Sequence, residues 1–343
     1  MAEESFKEYG KEEAISLLYE GSGFVRAENP SFEPSPGSEV ISSCRLFVEG
    51  IDFNLIYFPL KHLGYKCVCA AAGEIYASMA HPRTLMLRLG VSAKLDFSHI
   101  RELWSGAVAA AREHGFKTVD LDLVPSPNGL TISVSAGGER LKLTKGRTVK
   151  ARSKDLVCVS GSLGAAYLGQ QVLEREKRNF DKMEDDKVQP DLEKYKMLIG
   201  SYLKPEIPAA AVSRLEDSGI YPSHGYLVSH GLSDTLKRLV RDSGLGVKVY
   251  ADKIPFEGNS FAFGKEMDID PISAAMNGGD DFRLLFTIPI LSAEKFRRDF
   301  QTFEIIGHLA QPEVGAVLVT PDGVELPVKA QGWNDDHDLD VVD

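Results

Sequence analysis

Apolar residues recur every three or four positions in several segments of this chain, which is the spacing of a helix with one buried face. Gly115 and Gly244 directly follow two of these segments, at the position where a left-handed residue commonly ends a helix. The pattern predicts helices at residues 3–19, 60–80, 97–114, 165–179, 191–201, 207–218, 233–243 and 292–301.

Between these helices, apolar and polar residues alternate or form short apolar runs. Strict alternation at residues 118–123 and 130–135 places one face of each segment on a core. A loop that contains Pro125, Pro127 and Gly129 separates the two segments, so we expect them to form a hairpin. Further strands are predicted at residues 39–54, 85–89, 156–160, 246–251, 282–288, 303–307 and 316–328. Helices that alternate with strands predict an α/β fold.

The length of 343 residues exceeds what one ordinary core accommodates and predicts two domains. The polar and basic segment 147–154 is the expected linker. We therefore predict an N-terminal α/β domain at residues 1–150 and a C-terminal α/β domain at residues 151–334. Residues 335–343 are predicted to form an acidic tail. A metal site around His337 is one interpretation of this tail, but a frayed terminus is the more common structure for such a segment.

Composition narrows the class of protein. The chain is 43% hydrophobic and 26% charged, which is typical of a globular protein, and no apolar run approaches the roughly 20 residues that cross a bilayer. The charged N-terminus lacks the features of a signal peptide, so we expect a cytoplasmic protein that binds no membrane. A net charge of −11 argues against nucleic-acid binding. The four cysteines form no CxxC pair and are predicted to be buried, inert thiols.

Four stretches together carry a resemblance to a known family. They are GIDFNLIYFPLKHLGYK (50–66), LVCVSGSLGAAYLG (156–169), MNGGDDFRLLFTIP (276–289), and the closing pair IIGHLA (305–310) and AQGWN (330–334). Their order and spacing resemble the thiamine monophosphate kinase family. That family belongs to the superfamily of aminoimidazole ribonucleotide synthetase, selenophosphate synthetase and a hydrogenase maturation factor.

The resemblance implies a fold, an oligomer and a reaction. The N-terminal domain would contribute strands to a β-barrel that spans a homodimer, and the C-terminal domain would be a mixed sheet with helices. The reaction would transfer the γ-phosphoryl group of ATP to the small-molecule phosphate substrate thiamine monophosphate, giving thiamine diphosphate. Two phosphates can meet only if cations neutralise them, and the family uses Mg²⁺ held by aspartates from separate loops.

Acids fill only some of the family's aspartate positions in this chain. Arg45 occupies the position of the aspartate in the family motif Thr-Thr-Asp. His230 occupies the position of the aspartate in the family motif Ser-Asp-Gly. Glu74 keeps a carboxylate at the Asn-Leu-Ser-Asp position, and Asp122 keeps one at Gly-Gly-Asp-Thr. Asp120 shares a strand face with Asp122. Glu74, Asp122 and Asp120 are the predicted metal ligands, although solvation of the two aspartates on an exposed face is an equally good account of them.

Phosphate and substrate binding are implied at three other motifs. Gly161 and Gly164 keep a strand-to-helix turn whose backbone amides can receive phosphate, although any tight turn would use glycine there. Asp281 keeps the second acid of the family's Gly-Gly-Glu-Asp motif, and we predict these three residues to bind the nucleotide. Trp333 matches a tryptophan near the family's thiamine site, and structural packing would explain it equally well.

Three functions are compatible with the sequence. The first is an active thiamine monophosphate kinase or a related phosphotransferase. The second is a non-catalytic relative that binds a nucleotide or thiamine phosphate as a sensor or partner subunit, and the third is a structural role in a hetero-oligomer. Loss of one charge-stabilising group can raise a reaction barrier by about 2.7–4 kcal/mol, so the missing acids predict no more than trace turnover.

Overall fold

The computed structural model describes residues 6–27, 29–141, 149–182 and 192–329. Residues 6–141 are called the first half of the chain. The elements of the first half are α1 (Phe6–Tyr19), β1 (Ser38–Val48), α2 (Leu60–Ala77), β2 (His81–Ser92), α3 (Phe97–Glu113), β3 (Thr118–Ser126) and β4 (Thr131–Leu141). All three helices predicted for this half are confirmed. The strand expected at residues 85–89 is much longer, because it begins at His81 directly after α2 ends.

The four strands of the first half form one sheet in the order β1-β4-β2-β3. Strand β4 runs antiparallel to both β1 and β2, whereas β2 and β3 are parallel. The predicted hairpin of β3 and β4 is therefore wrong, because β2 lies between them. Alternation along a strand identifies its buried face, but it carries no information about which strand becomes the neighbour.

Helices α2 and α3 approach each other closely through two glycines. A Cβ atom on Gly64 would lie 2.0 Å from the carbonyl oxygen of Leu103, and one on Gly106 would lie 1.8 Å from that of Lys61. No side chain fits in either place, so the contact is between backbones. Nearly every residue of α2 is buried as a result.

The second half, residues 149–329, contains a larger sheet. Its helices are α4 (Ala165–Lys182), α5 (Lys196–Leu203), α6 (Ala211–Asp217), α7 (Leu232–Ser243), α8 (Ser260–Met267), α9 (Pro271–Asn277) and α10 (Ala293–Asp299). Its strands are β5 (Leu156–Val159), β6 (Gly225–Val228), β7 (Gly246–Tyr250), β8 (Arg283–Ile288), β9 (Glu304–Ala310), β10 (Ala316–Val319) and β11 (Glu325–Pro327). Sequence patterns missed β6, α8 and α9, which are too short to show a period.

The described strands of this half form a seven-stranded sheet in the order β11-β10-β7-β9-β5-β8-β6. Strands β10 and β7 are parallel, and the other pairs are antiparallel, which confirms the predicted mixed sheet. The fold of the chain is thus α/β with two separate sheets. No helix among the described residues has the length and apolar character required to cross a membrane.

Helix α2 lies between the two sheets and contacts both halves of the chain. A Cβ atom on Gly73 would lie 2.6 Å from Leu227 of β6, and one on Gly225 would lie 2.1 Å from the carbonyl oxygen of Ala77. One hydrophobic core cluster accordingly contains residues of both halves. Three of the cysteines are buried as predicted, but Cys44 on β1 is exposed, which corrects that part of the prediction.

The glycine contact between α2 and α3 predicts that one methyl group added at this contact strongly destabilises the folded protein. Because the new Cβ atom would meet a rigid backbone carbonyl, Gly106→Ala should lower the free energy of unfolding by about 1–3 kcal/mol. Gly200→Ala in α5 is the matched control, since no atom lies within 4 Å of the added methyl group. Urea unfolding of both variants measures the difference, and equal stabilities would contradict the proposed close contact.

Candidate functional site

The two faces of the first sheet carry different candidate residues. In the ladder of paired strands, Arg45 belongs to the row whose other members are Val134, Leu87 and Leu121. Those three side chains are buried. The next row contains Cys44, Ser135, Met86 and Asp120, and successive residues of a strand point to opposite faces. We call the Arg45 side the inner face, since α2 packs there, and the Asp120 side the outer face.

Arg45 connects three elements on the inner face. Its Nη1 atom donates a hydrogen bond of 3.0 Å to Ser229 Oγ and lies 3.6 Å from Glu74 Oε1 of α2. Burial raises the pKa of the Glu74 carboxyl, and the positive charge of Arg45 opposes that shift. Burial, followed by the charge of Arg45, lowers the pKa of His230. The structure therefore brings together the residues at three of the family's aspartate positions: Arg45, Glu74 and His230.

Lys66 of α2 is the most deeply buried cation near this cluster, with only 1% of its side chain exposed. Its Nζ atom lies 2.9 Å from Asp280 Oδ2. The same atom lies 3.9 Å from the ring centroid of Tyr202, 5.2 Å from that of Phe58 and 5.7 Å from that of Phe282. Aromatic faces attract a desolvated ammonium group, so the rings and the carboxylate together replace its lost hydration.

The segment that supplies Asp280 has an unusual backbone. Gly279, Asp280 and Phe282 have φ angles of +84°, +62° and +46°, in the region that favours glycine. Phe282 is fully buried, and the Asp280 amide donates to the Ser229 carbonyl at 2.9 Å. A bulky residue in this region is strained and persists only where its surroundings hold it, and such strain is common at functional sites.

Asp281 accepts hydrogen bonds at the beginning of α4. The amides of Gly164 and Ala166 donate to its carboxylate at 2.7 and 3.1 Å, and the residue is only 3% exposed. Burial raises the pKa of Asp281 to about 7. The backbone of Gly161 lies against the guanidinium group of Arg283. A phosphate that used the Gly164 amide would have to displace Asp281, so the nucleotide-binding role of these residues stays a prediction.

The outer face holds the other two predicted metal ligands. Asp120 is buried and lies 2.5 Å from Arg88 Nη2, and Asp122 lies 2.6 Å from Lys11 Nζ. The hydrogen bond and charge of Lys11 hold the pKa of Asp122 below its usual range. These four residues line a cavity of about 250 Å³, and Lys11 also lines a neighbouring cavity of about 720 Å³ with apolar walls that include Leu123.

The described carboxylates do not fit the magnesium centre that the resemblance implies. Glu74 is on the inner side of the sheet and Asp120 and Asp122 are on its outer face, so the predicted ligands do not form one site. No three acid, histidine or cysteine side chains among the described residues are grouped to hold a metal ion. Trp333, predicted at the substrate site, lies outside the described residues.

Several residues of the site escaped sequence reasoning. Lys66, Asp280 and Ser229 lie within the family motifs, Asp280 at the first acid of Gly-Gly-Glu-Asp, but none of them was predicted as a site residue. A signal for Lys66 was present, because a lone lysine within the apolar run of α2 indicates a buried charge that needs a partner. Lys11 and Arg88 had no such signal, since their partners come from elements distant in sequence.

Comparison with known proteins agrees with this architecture. Residues 27–139 match the family model described as AIR synthase related protein, N-terminal domain. The thiamine-monophosphate kinase of Pyrococcus horikoshii is 28% identical over 276 residues, which cover 80% of this chain and 79% of the relative. That of Aquifex aeolicus is 26% identical over 241 residues, which cover 70% and 73%. The similarity to the thiamine-monophosphate kinase family that the sequence motifs indicate is thus confirmed.

Solved structures share the fold over nearly the whole chain. AaThiL complexed with AMPPCP and TMP has a TM-score of 0.70 at 22% identity, and the match covers 94% of this chain and 96% of that one. Escherichia coli HypE, a hydrogenase maturation protein, has a TM-score of 0.68 at 16% identity, with coverages of 92% and 96%. The predicted aminoimidazole ribonucleotide synthetase-like fold is therefore confirmed.

The raised pKa of Asp281 predicts a pH dependence of stability. An aspartate in the unfolded chain ionises near pH 4, whereas Asp281 in the folded protein keeps its proton until about pH 7. The unfolded state binds fewer protons between these values, so Asp281 makes stability fall as the pH rises from about 4 to about 7. Asp281→Asn should therefore gain stability relative to the wild type over this interval, as measured by urea unfolding.

The matched control for this experiment is Asp270→Asn. Asp270 accepts from the amides of Ile272 and Ser273 at the start of α9, as Asp281 does at α4, but it is exposed. The control therefore isolates the loss of a helix cap. A stability difference between Asp281→Asn and the wild type that stays constant from pH 4 to 7 would contradict the prediction.

Proposed function

We propose that this chain binds a phosphate-bearing small molecule, a nucleotide or a thiamine phosphate, without requiring Mg²⁺, and transfers phosphoryl groups at no more than a trace rate. One observation supports this proposal above all others. Each carboxylate that could hold a metal in the family pattern already has a cationic side chain beside it. The pairs are Glu74–Arg45 at 3.6 Å, Asp122–Lys11 at 2.6 Å and Asp120–Arg88 at 2.5 Å.

Charge explains why these pairs oppose magnesium. A divalent ion that approached Glu74 or Asp122 would be repelled by the cation already there and would have to displace it. A phosphate group, in contrast, is attracted by the same arginine and lysine side chains and can bind to them directly. The ligand class comes from the relatives, which are thiamine-monophosphate kinases, and from the AMPPCP and TMP bound in the similar structure.

The two cavities that Lys11 lines provide space for the nucleotide. The cavity of about 720 Å³ has apolar walls for a base, and Lys11 connects it to the smaller cavity that contains Arg88. A ligand in the larger cavity would thus extend its phosphates toward these two cations. This arrangement agrees with an N-terminal domain, residues 1–150, that carries the nucleotide side of the protein.

Thermal denaturation tests whether binding requires a metal. AMPPCP should raise the melting temperature by the same amount in Mg²⁺ and in EDTA, because a ligand stabilises only the state that it binds. Lys11→Met should reduce the shift, and Lys117→Met, which removes an exposed lysine on another loop, should leave it unchanged. A shift that appears only with Mg²⁺ would show that the metal site functions and would overturn the proposal.

A direct assay tests the second candidate, an active thiamine-monophosphate kinase, which the 26–28% identity to such enzymes favours. We expect the wild type to form only trace thiamine diphosphate from ATP and thiamine monophosphate. The double variant Arg45→Asp, His230→Asp should bind Mg²⁺ more tightly, because it restores two acids beside Glu74. Robust turnover by the wild type would establish the kinase instead.

We further propose that the chain forms a homodimer through β1. This strand is eleven residues long and lies at the edge of its sheet, with Val40 and Leu46 exposed by 55% and 59%. A long apolar edge strand is a template for pairing with another chain, and soluble monomers usually protect such edges. Its pairing with a second copy would agree with the dimer-spanning barrel that the resemblance implies.

Light scattering after size-exclusion chromatography tests the dimer. Leu46→Lys should shift the protein to monomers, because a buried unpaired charge at the interface is costly. Leu291→Lys is the control, since Leu291 is a 93% exposed leucine distant from β1 in the second half. A dimer that survives Leu46→Lys, or a wild-type monomer, would contradict an interface at this strand.

A further inference from the structure

A cavity of about 850 Å³ lies on the second sheet. Its described lining residues differ from those around Arg45 and from those of the two cavities that Lys11 lines. Strands β5, β7 and β9 form its floor. His308 of β9 is paired in register with Leu156 of β5 and Lys248 of β7, so these three side chains share one face of the sheet. The C-terminal part of α10, with Arg297, lies at one side of the cavity.

The floor of this cavity combines apolar and aromatic groups. Leu156, Phe303 and Ile305 contribute apolar surface. The rings of Tyr250 and His308 are stacked, with centroids 5.8 Å apart and planes inclined by 28°. Burial lowers the pKa of His308, and the charge of Lys248 lowers it further, which favours the neutral imidazole. The pair therefore presents an uncharged aromatic surface.

The rim of the cavity is positively charged. Lys154, Lys253 and Arg297 line it, and Glu304 is the one acid among the described lining residues. Neither Lys154 nor Arg297 has an ion-pair partner in the described part of the chain, whereas Lys253 lies 3.5 Å from Asp252. Such a concentration of positive charge stands out in a chain with a net charge of −11.

The loop that carries Lys154 is held in a fixed conformation. Lys154 has a φ angle of +77°, and its amide donates to the Leu309 carbonyl at 2.7 Å. Next to it, the buried carboxylate of Asp155 accepts from the amides of Arg152 and Ile290 at 2.8 and 3.3 Å. These bonds fix the backbone from which the Lys154 side chain extends, so anion binding has to order only the side chain and not the loop.

We propose that this cavity is a second binding site, for a phosphate ester that carries a planar heteroaromatic ring, such as a mononucleotide. The ring stacks on Tyr250 and His308 over the apolar floor. The phosphate binds to Lys154 and Arg297, the two rim cations that form no ion pair with another described residue. This site is independent of the nucleotide site proposed in the first half of the chain.

Calorimetric titration with AMP in EDTA tests the proposal, with variants that leave the sheet intact. The double variant Lys154→Asn, Arg297→Gln should weaken AMP binding at least about tenfold, because it removes both charge-assisted hydrogen bonds to the phosphate. Asparagine tolerates the left-handed conformation at position 154. Arg298→Gln is the control, because this neighbouring arginine on α10 is paired with Asp299.

Two further measurements assign the site and the ligand class. AMP should shift the NMR signals of the His308 ring, and ribose 5-phosphate, which lacks the heteroaromatic ring, should bind more weakly than AMP. An affinity that falls in Lys11→Met and not in the double variant would place AMP in the first half alone and overturn this second site. Absence of AMP binding at about 1 mM, or unshifted His308 signals, would overturn it as well.

Discussion

The ion pair of Lys66 and Asp280 is the interaction on which the arrangement of the candidate site depends. Burial of the Lys66 ammonium group without a partner would cost much free energy of folding. The folded chain therefore has to bring α2 into contact with the segment at residues 279–282. This contact holds Phe282 in its strained backbone and leaves Asp281 directed at the start of α4. One buried charge on a helix of the first half thereby positions a loop of the second.

On the first sheet and on α2, cationic side chains lie beside the carboxylates that were predicted to bind metal. On a fold shared with thiamine-monophosphate kinases, Arg45, Lys11 and Arg88 each lie beside a carboxylate that would otherwise be available to a cation. Side-chain cations can still neutralise a phosphate, but they cannot bridge two phosphates as a shared divalent ion does. Binding and catalysis are therefore separable on this fold, and the charges of the described residues favour binding.

The aromatic and basic cavity of the second sheet shows how the fold creates binding surface away from the residues predicted to bind metal and nucleotide. Tyr250 of β7 and His308 of β9 stack on each other above this sheet. Leu156 and His308 lie in two of the stretches that carry the family resemblance, but none of the lining residues is one predicted to bind metal, nucleotide or substrate. Only the register of the strands places them on a common face.

Most helices, the mixed sheet and the similarity to thiamine-monophosphate kinases could be predicted from the sequence, because periodicity and motif order are local properties of the chain. The replacement of acids by Arg45 and His230 was equally visible there. The pairing of β4 with β2 instead of β3, the separation of Glu74 from Asp120 by a sheet, and the contact of Asp281 with the Gly164 amide were not. Those depend on which distant segments become neighbours, and tertiary packing alone decides that.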